Sequence, residues 1–167
     1  MGMVAKDATF MSSDSNFDVQ RTNHWNLLIE GMGVHITLAV DSVAAPKFNI
    51  EAIELSHGNT KVKVAGNVSV ELGDIAFKDF VKKKVHKDLY DWFSIPHNFK
   101  TGERGSVEQY KKDGRLVLYS PDGQIKRSYY IEGMWMTDFN PGDYNYDTAD
   151  KVLVTGTFVC DNAFLED

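Results

Sequence analysis

Five histidines are the first side chains to weigh for chemistry: His24, His35, His57, His86 and His97. No two of them stand in an HxxxH or HExxH spacing, so none pairs with another on one helix face as a zinc ligand set would. His35 alternates with apolar neighbours and points to the other side of its strand. The single cysteine, Cys160, supports neither an intramolecular disulfide nor a multi-cysteine zinc site. It reads as a small apolar filler, and a reducing, cytoplasmic folding environment is the default. No serine sits in GxSxG, and no glycine-rich loop joins a strand to a helix as a phosphate cradle would. Gly66-Asn67, Gly102 and Gly105 read as turn glycines. Asp138, Asp143, Asp147, Asp150, Glu166 and Asp167 are numerous enough to hide a glycosidase pair, yet a solvated acidic loop accounts for them more simply. The residues therefore point to no enzymatic activity, with no catalytic, metal-binding or cofactor-binding residue and no cofactor.

Aromatic residues make up 12% of the chain. Trp92, Phe93, Tyr129, Tyr130, Trp135 and Phe139 have the types of a stacking platform for sugars or bases. Trp92 and Phe93 continue an apolar helix face, so they read as core. Trp135 lies in the apolar stretch GMWM and reads either as core or as an anchor between subunits, where Trp is enriched. The run Lys82-Lys83-Lys84 invites a nucleic-acid reading, but 18 basic residues stand against 24 acidic ones, for a net charge of −6. Phosphate binding needs clustered cations. The run is better read as a solvated face or a contact for an acidic partner.

These side chains must be positioned by elements that the hydropathy pattern outlines. The 167 residues suggest one domain with enough chain for a real core. Residues 1–22 read as a polar N-terminal arm, and the patterned domain spans 23–167. No apolar run approaches the roughly 18–20 residues that a membrane-spanning helix needs, and the N-terminus lacks a signal-peptide layout. Alternation with period 2 dominates. Strands are expected at 24–31 and 34–43, forming a hairpin, then at 48–56, 60–66 and 67–77. The shift of phase between Ile50, Ala52 and Ile53, Leu55 suggests a bulge. Turns are expected at His57-Gly58-Asn59, Gly66-Asn67, Asp113-Gly114 and Pro121-Asp122-Gly123. Further strands are expected at 106–112, 115–120, 124–136 and 151–161, with a loop over 138–150. Only Phe77, Val81, Val85, Leu89 and Trp92/Phe93 follow helical spacing, which predicts one flanking helix at about 78–94, stopped by Pro96. The sum is a mainly β domain of roughly eight strands, either a closed barrel or a two-sheet sandwich.

An ordered series of segments carries a resemblance: HGN (57–59), AG (65–66), FKDF (77–80), LYDWF (89–93), TGERG (101–105), YKKDGRLVLYSPDG (110–123), YYIEGMWMTDF (129–139), GDYNYD (142–147) and VLVTGTFVCDNAF (152–164). Over about 24–165 the chain resembles the tail tube proteins of contractile-tailed, myovirus-type bacteriophages. They share their fold with the haemolysin-coregulated tube protein of type VI secretion. The resemblance implies a β-sandwich or barrel-like tail-tube fold with one flanking helix. It implies hexameric rings stacked into the inner tail tube, the conduit for DNA ejection, or else the tube of a bacterial contractile injection or type VI secretion system. The implied partners are further copies of the chain, the tail sheath protein, baseplate and tube-initiator proteins and a tape measure protein in the lumen. Viral DNA would pass without specific binding, and no membrane is involved. The implied location is the virion tail, with assembly in the host cytoplasm. Segment 44–65 corresponds in position to a protruding loop that bridges stacked rings, making Ile53, Leu55, His57 and Asn59 candidate contacts, with Trp135 as a further one. The polar positions Glu30, Thr37, Asp41, Thr155 and Thr157 become candidates for the lumen or the outer surface.

Overall fold

In a computed structural model, which describes residues 19–166, one long strand organises the molecule. β1 (Trp25–Ile29), β6 (Lys112–Tyr119), β7 (Ile125–Asn140), β8 (Leu153–Val159), β5 (Gly73–Lys78) and β2 (Val40–Ser42) follow one another in a sheet, and β9 (Asn162–Glu166) also pairs β7. β7 pairs β6 and β9 through its first half and β8 through its second, all antiparallel. The sheet therefore turns a corner along β7. The corner falls at Gly133, whose φ of +64° is open to glycine at little cost. A Cβ there would lie 2.4 Å from a carboxylate oxygen of Asp161. Asp113 fixes the corner from the other side: its carboxylate accepts the Gly133 N–H and the Tyr130 hydroxyl, each at 2.9 Å.

The core fills the inside of this curl. Phe77 and Phe158, both fully buried, meet with ring centroids 6.2 Å apart. Trp92 packs on Phe158 at 5.5 Å and donates its indole N–H to the Tyr110 carbonyl at 2.6 Å. Trp92 belongs to the main helix, α2 (Val85–Ser94), which presents Val85, Leu89 and Trp92 to the core as their spacing requires.

That helix is shorter than the expected 78–94. Phe77 stays in β5, and the Asp79 N–H continues the ladder by donating to the Val152 carbonyl at 3.1 Å. Backbone committed to the sheet cannot also wind into a helix, and Val81 ends fully exposed. The expected strand 34–43 is likewise replaced, by helix α1 (Val34–Ala39) followed by β2. Ile36, Ala39 and Val40 are buried, and their spacing is that of one helix face. Thr37 thus sits on a helix rather than on a strand face, and β1 pairs β6 instead of its sequence neighbour. The expected strand 106–112 opens as a one-turn helix, α3 (Val107–Tyr110), where Gln109 accepts the Ser106 N–H at 2.9 Å in an S-x-x-Q box.

Asp113-Gly114 is no turn: both lie inside β6, and Gly114 is needed because a Cβ there would come 2.6 Å from the Met134 sulfur. β7 also runs four residues past the expected strand end, to Asn140. The turn at 121–123 is present, closed by the Ser120 N–H donating to Gln124 O at 2.8 Å. The proposed arm lies outside the described residues as far as residue 18; beyond it, Gln20 donates to the Tyr119 carbonyl at 2.8 Å.

Truncating Phe158 to Ala should cost about 3–5 kcal/mol, because it removes a ring wedged between Phe77 and Trp92. Chemical denaturation measures this, and a loss below about 1 kcal/mol would mean that the curl is not held by this cluster.

Candidate functional site

The most unusual part of the molecule is a hairpin that leaves the curl. β3 (Lys47–His57) and β4 (Thr60–Glu71) form a separate two-stranded sheet. The Gly58-Asn59 loop closes it, with φ +62° at Gly58, the glycine-first pattern of a two-residue II′ turn. Every residue of β3 is exposed. A two-stranded ribbon of this kind is marginal in water, yet this one carries Phe48, Ile50, Ile53, Leu55, Val62, Val64 and Val68 in exposed positions.

The odd spacing from Ile50 to Ile53 divides the apolar residues of β3 between two faces, and a bulge in β4 keeps its valines in step. Ile50 pairs Val68 and Ala52 pairs Ala65, so Gly66 and Asn67 together oppose Glu51. Gly66 and Asn67 are thus not the expected turn; β4 runs straight through them. Side chains alternate along β3. Phe48 and Ile50, with partners Val70 and Val68, therefore face one way. Ile53 and Leu55, with partners Val64 and Val62, face the other. The base half turns toward the body, where the Phe48 ring meets Tyr129 at 6.3 Å and Val70 packs on the core margin. The outer half presents a four-residue apolar patch on the opposite face with nothing beneath it. Gly66 is required there: a Cβ would meet Ile53 Cγ1 at 2.7 Å and the Glu51 carbonyl at 3.1 Å.

Of the five residues singled out from the sequence, Ile53, Leu55 and His57 share this outer face and Asn59 sits in its tip. Trp135 does not join them. It is half-buried in β7 and packs edge-on against Tyr110 at 5.4 Å. The cross-strand partners Val62 and Val64, which complete the patch, were missed, although the alternation in TKVKVAG signals them.

The sheet also ends in strands that pair on one edge. β1 ends the path beyond β6, with Leu27 and Ile29 buried beneath it and Leu28 45% exposed. β2, at the other end, is only three residues long. Asp41 of β2 accepts from Lys151 at 2.8 Å, a hydrogen bond that holds its carboxyl below the usual carboxylate range. β9 is fastened by Glu166, which accepts from Ser128 Oγ at 2.6 Å and from both Nε and Nη2 of Arg115 at 2.9 Å. The Arg115 guanidinium lies over the Tyr130 ring at 5.5 Å.

Reactive groups are not gathered. Among the described residues no three His, Cys, Asp or Glu side chains come together as a metal site would require. Burial pushes the Cys160 thiol up, away from the reactive thiolate. No helix among the described residues is long and apolar enough to cross a membrane.

No protein-family model matches the chain. Among solved structures, a chain of the anti-feeding prophage tube-terminating cap superposes with a TM-score of 0.71 at 15% identity, covering 89% of this chain and 91% of that one. A chain of the extended sheath–tube complex of the PVC extracellular contractile injection system gives 0.70 at 14% identity, over 99% of both chains. The chain has the tail-tube fold. The tail-tube likeness extends to sequence: the chain is 24% identical over 139 residues to the tail tube protein gp19 of Enterobacteria phage T4, covering 81% of this chain and 84% of that protein.

The Ser128 hydrogen bond and the Arg115 pair hold Glu166 below the usual carboxylate range. A carboxyl lowered on folding contributes fully above its unfolded pKa and loses that contribution as pH falls through the folded one. Amide protection in β9 should therefore drop as pH falls below the ordinary glutamate range. In Glu166→Gln it should already be low and flat with pH; identical profiles for the two proteins would refute the fastening role.

Proposed function

We propose that this chain is a non-enzymatic structural subunit that assembles with copies of itself into the tube of a contractile-tailed device. The outer half of the hairpin carries this reading. Ile53, Leu55, Val62 and Val64 lie exposed on one face of a ribbon with no core of its own, and the tail-tube fold supplies the context in which a second copy covers it. Exposed strand margins and contiguous apolar surface are templates for association. A contact between unlike surfaces that closes on itself gives a ring.

The fuller reading is a phage tail. Hexameric rings stack into the inner tube, with Ile53, Leu55, His57 and Asn59 bridging copies and Trp135 bearing on a neighbour through its exposed part. The likeness to the T4 tail tube protein supports the phage assignment. Sheath, baseplate, tube-initiator and tape measure proteins are then the partners, the virion tail the location and the host cytoplasm the place of assembly. A net charge of −6 per subunit suits a lumen through which DNA passes without being held. The alternative, the tube of a bacterial contractile injection system, is favoured by the end-to-end superposition on the PVC sheath–tube chain. A type VI secretion tube is the other form of this alternative.

Electron microscopy of the purified protein at high concentration, alone and with a tube-initiating baseplate component, is expected to show stacked rings or hollow tubes. The double variant Ile53→Asp, Leu55→Asp should abolish them. Its unfolding free energy should stay within about 0.5 kcal/mol of the parent, because both side chains are exposed in the single chain. Tubes formed equally well by the variant would remove the hairpin from the assembly surface. A parent that stays dispersed under both conditions would remove the tube reading.

A further inference from the structure

A second surface, outside the hairpin, has its own unmet chemistry. The inner face of α1 buries Ile36 and Ala39, while its outer face leaves Val34 and Leu38 74% and 67% exposed. Together with His35, Phe80, Lys82 and Lys83 these line a groove of about 580 Å³ between α1 and the turn before α2. Its floor is pinned, because His35 Nε2 bonds Asp88 Oδ2 at 2.6 Å and ties α1 to α2. Lys82 and Lys83 take part in none of the ion pairs formed among the described residues. The groove is thus an apolar floor rimmed by free positive charge.

One described segment of the same chain has the complementary chemistry. The loop 143–147 reads Asp-Tyr-Asn-Tyr-Asp. Tyr144 is 75% exposed, and Tyr146 is fully so and rests on nothing. Asp143 and Asp147 flank the rings and take no cation among the described residues. The loop holds a defined shape: Asn140 Oδ1 accepts the Gly142 N–H at 3.0 Å and Asn145 Oδ1 accepts the Asp147 N–H at 2.9 Å. Two aromatic rings flanked by carboxylates match an apolar floor edged by two ammonium groups. Amphipathic tyrosine is the type of side chain that anchors interfaces, and opposed charges fix register.

We propose that a second copy of this chain seats its acidic, tyrosine-bearing loop 143–147 in the lysine-rimmed groove of the first. The full exposure of Tyr146 shows that the loop does not occupy the groove of its own chain. The contact joins two different surfaces, so it propagates to a ring or a stack. It rests on the reading that the chain assembles with itself, but it uses neither the hairpin nor the sheet margins.

The test is charge reversal with a trap. Three proteins are compared with the parent by sedimentation over a concentration series: Lys82→Glu with Lys83→Glu, Asp143→Lys with Asp147→Lys, and all four together. Each one-sided reversal should raise the concentration needed for self-association at least tenfold, and the fourfold variant should recover most of it. In a Cys160→Ser background, Leu38→Cys mixed with Tyr146→Cys should give a crossed disulfide dimer under mild oxidation. One-sided variants that associate like the parent, or a fourfold variant that only accumulates the losses, would overturn the docking and leave the tube reading standing. A parent that stays dispersed at every concentration, alone and with a tube-initiating component, together with cysteine variants that give no crossed dimer, would overturn both.

Discussion

A two-stranded ribbon with exposed apolar residues and no core of its own is marginal in water, and this constraint bears on the rest of the molecule. Hairpins in water are marginal, and burial is what makes them persist. In this chain the base of β3–β4 leans on Tyr129 and the core margin, while the outer half turns its apolar residues the opposite way. The odd spacing from Ile50 to Ile53 reverses β3, and the two β4 residues opposite Glu51 carry the valines of β4 across with it. Without that bulge, Val62, Val64, Val68 and Val70 would all share one face of β4, while Phe48 and Ile50 would still face away from Ile53 and Leu55. With it, the apolar residues in the outer half of both strands share one face.

The body is built to hold that ribbon, and the open margins, at fixed angles. β7 serves two halves of the sheet by turning at Gly133. Lys111 adds to the corner by gripping Asp161 at 2.7 Å through both carboxylate oxygens. The curl closes over its aromatic core on one side only, which leaves β1 at one end of the sheet path and β2 at the other. A structure whose role was to enclose a ligand would be expected to seal those margins and open a pocket inside the curl. Here the inside is filled by Phe77, Phe158, Trp92 and Met134, and the unsatisfied chemistry lies on the outside. Substantial negative charge adds solubility to the dispersed chain.

Much of this was legible in the sequence. The mainly β class, the II′ loop at Gly58, the turn at 121–123 and the bulge all follow from local patterns that no distant contact overrides. The departures share one cause. Val34, Ile36, Leu38 and Val40 alternate like a strand, yet Ile36, Ala39 and Val40 also fit a helix turn. A segment this short satisfies both periods, and burial together with the His35–Asp88 bond, 53 positions apart, selects the helix. Asp113-Gly114 has turn composition, but its role is set by Tyr130, Gly133 and Met134 across the sheet. β9 follows a bend at Asp161, a turn-forming residue type, but its five residues are too short a run to show a period. For the assembly surface, alternation located the apolar residues of β3. Alternation marks Val62 and Val64 as well, but pairing register, which the sequence does not contain, is what sets them on one face with Ile53 and Leu55.

The proposed dependence of the hairpin on neighbouring copies is tested most directly by amide hydrogen exchange on dispersed and assembled protein. Amides of β3 and β4 should exchange quickly in the dispersed chain, well before those of β6 and β7, and become strongly protected on assembly, most of all from Ile53 to Val64. Hairpin amides as protected in the dispersed chain as in the assembled state would contradict this dependence.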